Sequence, residues 1–319
     1  MDEKIIYLNG SFVPESAAKV SVLDSGFNAG DGVYDVTRTF GHEPFKLKDH
    51  IARLYRSLCY TRIDPGLVPD EMERLSLEVL ERNKPLLKAN DEYAIWQVVS
   101  RGLRSSQGNR VKGGATVAIY CINVNFLEFA RHYVEGAVLV IPSTRRIPPQ
   151  CLEPKAKVTN KMNHNIAAIE AKQVDPHAIP LMLDVDGNVS ESNVHNFFLV
   201  RNGKIQTPGN KNVLDGITKD TLSTLAQDLD IDFIETNLTP YDIYNADEAF
   251  LASTSPTIVP VKNVNGVKIG QQAPGPVTLK LLHAWNRMVG MDIVMQALGH
   301  LESDEKERLV KLWKDKTAL

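Results

Sequence analysis

The sequence predicts an α/β protein, in the broad sense that includes α+β folds, built from two domains. The chain has 319 residues, more than one domain of the common size of about 100–200 residues requires. Strand-like runs alternate with helical runs in its first part. Hydrophobic residues make up 43% and charged residues 24% of the chain, a composition typical of globular proteins rather than disordered or collagen-like ones.

Residues 1–125 are predicted to form a small N-terminal α/β domain. A hairpin is expected at its start, because an Asn-Gly pair separates the strand-like runs Lys4–Asn9 and Ser11–Pro14. Apolar residues at helical or alternating spacing predict the later elements. These are helices at Asp49–Ile63 and Met72–Leu80, strands at Tyr93–Val99 and Ala115–Val124, and a loop at Gly102–Gly114.

A larger C-terminal domain is expected over 137–319, after an interdomain linker at 126–136. Its predicted strands are Ala137–Ile141, Pro180–Asp184, Asn196–Arg201 and Glu248–Ala252. Its predicted helices are Met162–Lys172, Thr218–Asp228, Pro276–Leu298 and the charged segment Glu302–Lys316.

Charge and composition argue against several classes of protein. The chain carries 36 Lys+Arg against 39 Asp+Glu, a net charge of −3, so no nucleic-acid partner is expected. The longest strongly apolar run, Gly136–Pro142, is far shorter than the roughly 18 residues of a membrane span. The N-terminus lacks the apolar core of a signal peptide. The widely spaced Cys59, Cys121 and Cys151 suggest free thiols in the cytoplasm and no metal site.

Two separated segments carry residues suited to chemistry on an aldehyde and an aromatic ring. Lys157 stands between a strand end and a helix, where a desolvated amine becomes nucleophilic. Glu191 adjoins an aromatic run, where a carboxylate can pair with a protonated ring nitrogen. Taken singly, each is more simply explained as a surface lysine or an exposed turn carboxylate.

Two further segments suit a phosphate group. Gly216-Ile217-Thr218 opens a helix, and the N-terminus of a helix favours anions, although a plain N-cap is the simpler explanation of this segment by itself. Phe250–Pro256 ends a strand in hydroxyl-bearing residues that suit the same phosphate.

Together, and in this order, the segments resemble the fold-type IV pyridoxal-phosphate enzymes, aminotransferase class IV. The resemblance extends to Gly26–Val36 and Asp49–Leu54 and covers roughly residues 4–295. It implies the two-domain D-amino-acid-aminotransferase-like fold, with pyridoxal 5′-phosphate as the cofactor.

The resemblance also implies a role for each matching residue. Lys157 is expected to form a Schiff base with the cofactor and to move the proton at the substrate Cα. Glu191 is expected to face the ring nitrogen, and Arg53 to bind the phosphate with its planar fork. The remaining phosphate contacts are expected from Ile217, Thr218 and Thr254. His195 departs from the family, where this position is often Ser or Glu, so a further phosphate or tyrosine-bridging contact is in doubt.

Three reactions remain open within the family. D-amino-acid and (R)-selective amine transaminases fit best, because they share Gly30–Tyr34 and a strand end like Val99–Gly102. Branched-chain aminotransferases share the frame but carry Tyr-x-Arg at Ala94–Trp96 and Gly-Gly-Asn-Tyr near Val158–Lys161. Aminodeoxychorismate lyases share a Lys-x-x-Asn pattern and would eliminate pyruvate.

The first of these reactions moves an amino group between a D-amino acid or (R)-amine and a 2-keto acid. In that interpretation Arg101 binds the substrate carboxylate and Tyr34 lines the same pocket. Trp96 favours bulky apolar substrates, and Arg145 and Arg146 are candidate second anchors for the keto-acid carboxylate. A homodimer is expected from the family.

Overall fold

The computed structural model describes residues 3–105, 108–112, 114–209 and 211–318, with backbone alone for 105 and 108–112. The chain forms two compact units. The first unit runs to Val124 and includes Ala156–Lys161, and the second comprises Asn125–Lys155 and the chain from Met162 onward.

The first unit is an antiparallel sheet with two helices packed on it. Its strands are β1 (Ile5–Leu8), β2 (Ser11–Pro14), β3 (Gly32–Phe40), β4 (Glu43–Pro44), β5 (Tyr93–Ser100), β6 (Leu103–Ser105), β7 (Gly108–Lys112) and β8 (Thr116–Asn123). Its helices are α1 (Ser25–Ala29), α2 (Leu47–Thr61) and α3 (Pro69–Asn83). In the described residues six strands follow the order β2-β1-β8-β5-β3-β4. The apolar faces of α2 and α3 are buried in the core of this unit, together with side chains such as Leu54, Met72 and Ile95.

The segment Gly102–Gly114, predicted to be a loop, instead forms a two-stranded ribbon in its described residues. Residues 106, 107 and 113 lie outside the described residues. β6 pairs antiparallel with β7, with Leu103 opposite Lys112. The Arg104 N–H also donates to the Leu23 carbonyl. The loop prediction was wrong because backbone pairing, rather than an alternation of apolar side chains, holds this ribbon together.

The second unit contains a mixed sheet with helices around it. Its strands are β9 (Ala137–Val140), β10 (Ile179–Leu183), β11 (Val189–Ser192), β12 (Asn196–Arg201), β13 (Lys204–Pro208), β14 (Phe233–Thr236), β15 (Glu248–Ser253), β16 (Thr257–Val264) and β17 (Val267–Lys268). Its helices are α4 (Ala130–Glu135), α5 (Met162–Val174), α6 (Ile217–Asp228), α7 (Pro240–Tyr244), α8 (Pro276–Val289), α9 (Ile293–Leu298) and α10 (Ser303–Thr317). The main strand order is β11-β10-β9-β16-β15-β12-β13-β14, and β11 also pairs with β12.

The predicted linker 126–136 is folded and belongs to the second unit. Phe126, Ala130, Tyr133 and Val134 are buried, and their spacing places them on one face of a helical segment. The predicted boundary at 125 lies one residue from the observed one. The short segment 156–161 returns to the first unit because its backbone bonds to β3.

The predicted helix Pro276–Leu298 is two helices. Gly290 ends α8 in the left-handed region, with φ 71°, which glycine adopts without steric cost. Asp292 then caps α9 by accepting hydrogen bonds from Val294 and Met295 N–H groups.

None of the helices in the described ranges is long and apolar enough to cross a membrane. The same residues hold no group of three or more His, Cys, Asp or Glu side chains arranged to bind a metal ion.

Candidate active site

Lys157 is held by its backbone against the beginning of β3. Its N–H donates to Ser57 Oγ at 3.1 Å, and its carbonyl accepts from the Tyr34 N–H at 2.9 Å. The Lys157 Nζ lies 4.8 Å from the centroid of the Tyr34 ring, within the range of a cation–π interaction. The backbone of the segment therefore orients the lysine.

An aromatic wall extends from Tyr34 across three neighbouring strands. Trp96 on β5 stacks on Tyr34 at 5.4 Å between ring centroids and on Tyr120 of β8 at 6.1 Å. The Trp96 Nε1 is buried and has no hydrogen-bond partner among the described residues. This wall (Tyr34, Trp96 and Tyr120) is a row of stacked rings, and its first ring, Tyr34, lies beside the Lys157 amine.

Arg53 lies on α2 in a buried ionic cluster with Asp35 and His50. Its Nε and Nη2 donate to the two Asp35 oxygens, each at 2.8 Å. His50 Nδ1 lies 2.8 Å from Asp35 Oδ1. The Asp35 side chain is wholly buried. Arg53 is also linked to the Lys157 segment, because Ser57 Oγ donates to the Arg53 carbonyl.

The charges in this cluster set the protonation of both Asp35 and His50. Burial alone would raise the pKa of Asp35, but the Arg53 charge and hydrogen bonds from Arg53 and His50 hold that pKa well below its usual range. Burial lowers the pKa of His50 despite the neighbouring Asp35 carboxylate. The cluster is therefore an ionised Asp35 shared between charged Arg53 and neutral His50.

Sequence reasoning missed Asp35 and His50. A signal was present, since Asp35 interrupts the apolar run Val33–Val36. His50 and Arg53 are also three residues apart on one helix, a spacing that places both on one face.

In the second unit, Glu191 makes one ionic and one backbone contact. Its Oε1 accepts from Arg146 Nε at 3.1 Å, and its Oε2 accepts from the Leu214 N–H at 3.0 Å. Both charged side chains are 7% exposed. Arg146, considered from the sequence as an anchor for a keto-acid carboxylate, is thus buried as the partner of Glu191.

Asn196 connects the Glu191 strand to the beginning of α6. Its backbone pairs with Glu191, and its Nδ2 donates to the Leu214 carbonyl at 3.0 Å. A Cβ at Gly216 would lie 2.1 Å from Asn196 Oδ1, so only glycine fits there.

The beginning of α6 has the character of an anion site. Gly216 is the N-cap residue and has no side chain with which to cap the helix. Ile217 and Thr218 follow in the first turn, where backbone N–H groups and the helix dipole favour a phosphate. Thr254 lies in the turn directly after β15, whose Ala252 is opposite Asn196.

Arg101 and Arg145 have other contacts in this structure. Arg101 binds both Asp31 oxygens, at 2.7 and 3.0 Å, and donates to the carbonyls of Thr61 and Arg62. Arg145 is exposed and donates to the Pro142 carbonyl at 3.3 Å. Their substrate roles stay predictions.

His195, the position that departs from the family pattern, is a neutral histidine. Burial first, and then the charge that His132 would carry, lower its pKa to about 4. The Nδ1 of His195 has no hydrogen-bond partner in the described part of the chain. Protonation at this position is therefore costly.

We expect the free energy of unfolding to fall as the pH drops from about 6.5 to about 4. Between these pH values His195 is protonated in the unfolded chain and neutral in the folded protein. The free energy of unfolding therefore changes by up to about 1.4 kcal/mol per pH unit. Urea titrations of His195→Asn across this range should show a shallower slope than the parent protein. The exposed His177 provides the control, since His177→Asn should leave the slope unchanged. An equal slope in parent and His195→Asn would contradict the prediction.

Comparison with known proteins shows the family of this chain. Residues 32–264 match the family model described as amino-transferase class IV. The chain belongs to the class IV aminotransferases. A putative branched-chain-amino-acid aminotransferase of Methanocaldococcus jannaschii is 37% identical over 277 residues, covering 86% of this chain and 93% of that protein. A D-alanine aminotransferase of Bacillus licheniformis is 27% identical over 274 residues, with 86% and 93% covered.

Solved structures of the family share the fold. The branched-chain aminotransferase of Thermoproteus uzoniensis with norvaline superposes with a TM-score of 0.81 at 30% identity, covering 90% of this chain and 95% of that one. The T.th. branched-chain amino acid aminotransferase with pyridoxamine 5′-phosphate gives a TM-score of 0.80 at 30% identity, with the same coverage.

The cofactor of this aminotransferase is pyridoxal phosphate. The residues present suit its three functional groups. In the first unit the Lys157 amine would suit the aldehyde. In the second unit the Arg146-paired Glu191 carboxylate would suit the ring nitrogen, and the beginning of α6 would suit the phosphate.

Proposed function

We propose that this enzyme is a branched-chain aminotransferase, which transfers the amino group of an apolar L-amino acid such as leucine to a 2-keto acid. The aromatic wall beside the Lys157 amine carries the proposal, because stacked rings at 5.4 and 6.1 Å offer an apolar surface to a hydrocarbon side chain. The names of similar proteins from Methanocaldococcus and Thermoproteus support it.

Lys157 is proposed as the catalytic residue. Its amine would hold the cofactor aldehyde covalently and, once displaced by substrate, would move the proton at the substrate Cα. The bound cofactor supplies an electron-withdrawing ring that stabilises the negative charge left at Cα. The backbone hydrogen bonds that join Lys157 to Ser57 and Tyr34 keep the amine in position throughout.

Glu191 and Arg146 are proposed to act together on the ring nitrogen. A buried carboxylate that faces this nitrogen favours its protonated form. The Arg146 guanidinium, 3.1 Å from Glu191 Oε1, and the Leu214 N–H, which donates to Oε2, fix the orientation of this carboxylate.

The phosphate is proposed to bind Arg53, Ile217, Thr218 and Thr254. Asp35 occupies the Nε–Nη2 edge of the Arg53 guanidinium, so a phosphate would use the edge formed by its two terminal nitrogens. Asp35 thereby sets the plane in which Arg53 presents those nitrogens.

Transfer from a D-amino acid or (R)-amine is the second candidate. The strand end Val99–Gly102 and the similarity to D-alanine aminotransferases favour it. Against it, the Arg101 expected to bind the substrate carboxylate makes four hydrogen bonds to Asp31 and two carbonyls.

A donor panel tests the proposal on the cofactor-loaded enzyme. With one 2-keto acid as acceptor, kcat/KM is measured for L-leucine, D-alanine and (R)-1-phenylethylamine, and the amino-acid product is separated by chiral chromatography. We expect L-leucine to exceed both other donors by about 100-fold or more. A higher value for D-alanine or the amine would establish the second candidate and reject the first.

We further propose that the enzyme is a cytoplasmic homodimer. Met162, Ile166 and Ile169 form an apolar stripe on α5, with exposed fractions of 66%, 43% and 59%, which a second copy would cover. Sedimentation analysis should give twice the mass of one chain, and a single-chain mass would reject the dimer.

A further inference from the structure

Tyr133 on α4 is bonded to the turn that follows β15. Its hydroxyl donates to the Pro256 carbonyl at 2.5 Å, across 123 positions of the chain. The Tyr133 side chain is fully buried, and the Phe129 ring meets it edge to face at 5.7 Å between centroids. Packing thus fixes the Tyr133 ring, and its hydroxyl ties α4 to the turn.

This turn carries one of the residues proposed to bind the phosphate. Ser253 at the end of β15 pairs with Thr257 at the start of β16. The three residues between them, Thr254–Pro256, form the connection. Thr254 is half-buried there, so any shift of the turn backbone would move the Thr254 hydroxyl.

The backbone of the turn is strained at its last residue. Thr257 has a φ of 58°, in the left-handed region that is sterically unfavourable for a β-branched side chain. Such a conformation persists where the surrounding contacts fix it. The peptide that joins Pro256 to Thr257 has these contacts, since its carbonyl accepts from the Tyr133 hydroxyl and from Thr257 Oγ1 at 2.6 Å. The Tyr133 hydroxyl therefore helps to set the orientation of the turn.

The turn lies at the end of the sheet where α6 begins. Ala252 on β15 pairs with Asn196, the first residue of β12. The Asn196 side chain donates to the Leu214 carbonyl, and α6 begins three residues later, at Ile217. A displaced turn would therefore matter to a phosphate bound at the beginning of α6.

Helix α4 is itself fastened by the C-terminal helix α10. Lys316 Nζ donates to the Val134 carbonyl at 2.7 Å, and Arg308 forms an ion pair with Glu135 at 2.8 Å. Val134 and Glu135 directly follow Tyr133 on α4. Tyr133 thus acts on the turn from a helix that is held in place.

We propose that Tyr133 is a positioning residue for the cofactor phosphate. Its hydroxyl holds the turn so that the Thr254 hydroxyl meets the phosphate. This proposal rests on the proposed function in one respect, namely that Thr254 binds the phosphate, and it is independent of the amino donor that the enzyme uses. Tyr133 acts through the turn and not on the cofactor itself.

Ligand binding to the full-length protein freed of its cofactor tests this role. The probes are pyridoxamine 5′-phosphate and pyridoxamine, which share the ring and differ by the phosphate, and neither requires a Schiff base with Lys157. Calorimetry gives a Kd for each, and the ratio of the two Kd values measures the preference for the phosphate. A general loss of stability leaves this ratio unchanged, because both ligands bind the same folded protein.

The variants are Tyr133→Phe, Thr254→Val and the two combined, with Tyr93→Phe as the matched control. Tyr93 is also fully buried, and its hydroxyl donates to a backbone carbonyl, that of Asn83, at 3.2 Å. Circular dichroism establishes that each variant is folded.

We expect Tyr133→Phe to lower the preference for the phosphate about 5- to 10-fold, the effect of one lost hydrogen bond. The Kd of pyridoxamine should stay within about twofold of the parent value. Thr254→Val should lower the preference by at least as much. Adding Tyr133→Phe to Thr254→Val should lower it by less than about twofold more, because both changes then affect one contact. Tyr93→Phe should keep the preference of the parent.

Three results would overturn the proposal. If Thr254→Val lowers the preference and Tyr133→Phe leaves it unchanged, the phosphate contact stands and the role of Tyr133 fails. Equal weakening of both ligands by Tyr133→Phe, or full additivity in the combined variant, would mean that Tyr133 does not act through Thr254. If Thr254→Val leaves the preference unchanged, the proposed phosphate contact of Thr254 fails, and the role of Tyr133 fails with it.

Discussion

Lys157→Ala is expected to lower the transamination rate by about 10⁴-fold or more, because one substitution removes both the covalent anchor and the base. The fold should survive, since the structural bonds of Lys157 to Ser57 and Tyr34 come from its backbone. Rates are measured with L-leucine, or with the best donor of the panel, and folding is followed by circular dichroism.

The control for this prediction is Lys155→Ala, at an exposed lysine two residues upstream. It should keep a rate within about twofold of the parent, since surface changes are usually near neutral. Near-parental turnover in Lys157→Ala would remove Lys157 from its catalytic role.

Asp35→Asn is expected to cost about 3–5 kcal/mol of unfolding free energy, because it leaves the Arg53 charge buried without its counter-charge. The lost contacts are the two 2.8 Å bonds from Arg53 and the His50 contact. Urea denaturation of the cofactor-free protein measures the loss. Pyridoxal phosphate should also bind more weakly, since the carboxylate no longer fixes the Arg53 plane.

Asp31→Asn is the matched control. Asp31 also binds an arginine through two oxygens, but this pair is about one-third exposed, so its loss should cost about 0–1 kcal/mol. If Asp35→Asn and Asp31→Asn lower the free energy of unfolding equally, burial of the Asp35–Arg53 pair adds no stability.

The Asp35 cluster also predicts that the free energy of unfolding falls at acid pH. The pKa of folded Asp35 lies below that of the unfolded chain. Its contribution is therefore present above the unfolded value of about 4 and is lost as the pH falls towards the folded value. Asp35→Asn should lack this part of the acid sensitivity.

Local patterns predicted most of the elements that carry the site. The hairpin at the Asn-Gly pair is present, with Asn9 and Gly10 both at positive φ, the geometry that a two-residue turn requires. The Gly-Ile-Thr motif does begin a helix at Ile217. Such features depend on residues that are neighbours in the chain, so periodicity and turn chemistry suffice to find them.

The substrate interpretation is where sequence reasoning was weakest. It ranked D-amino acids and (R)-amines above branched-chain substrates, largely from the strand end that contains Arg101. In the structure Arg101 is bound to Asp31, 70 residues earlier in the chain. The motif predicted a positively charged side chain at this strand end. The partner of that side chain depends on which loop the fold places beside it.

The sequence by itself determined the family and the cofactor and predicted several of the helices and strands, because these depend on motifs and spacing along the chain. Only the tertiary structure decided which charges meet. Arg146 reaches Glu191 across 45 residues, Arg53 reaches Asp35, and Lys161 shares the Tyr34 ring with Lys157. A charged side chain binds whichever opposite charge or dipole the fold brings within hydrogen-bond distance, and burial strengthens the electrostatic attraction between them. Distance along the chain carries little information about such a partner.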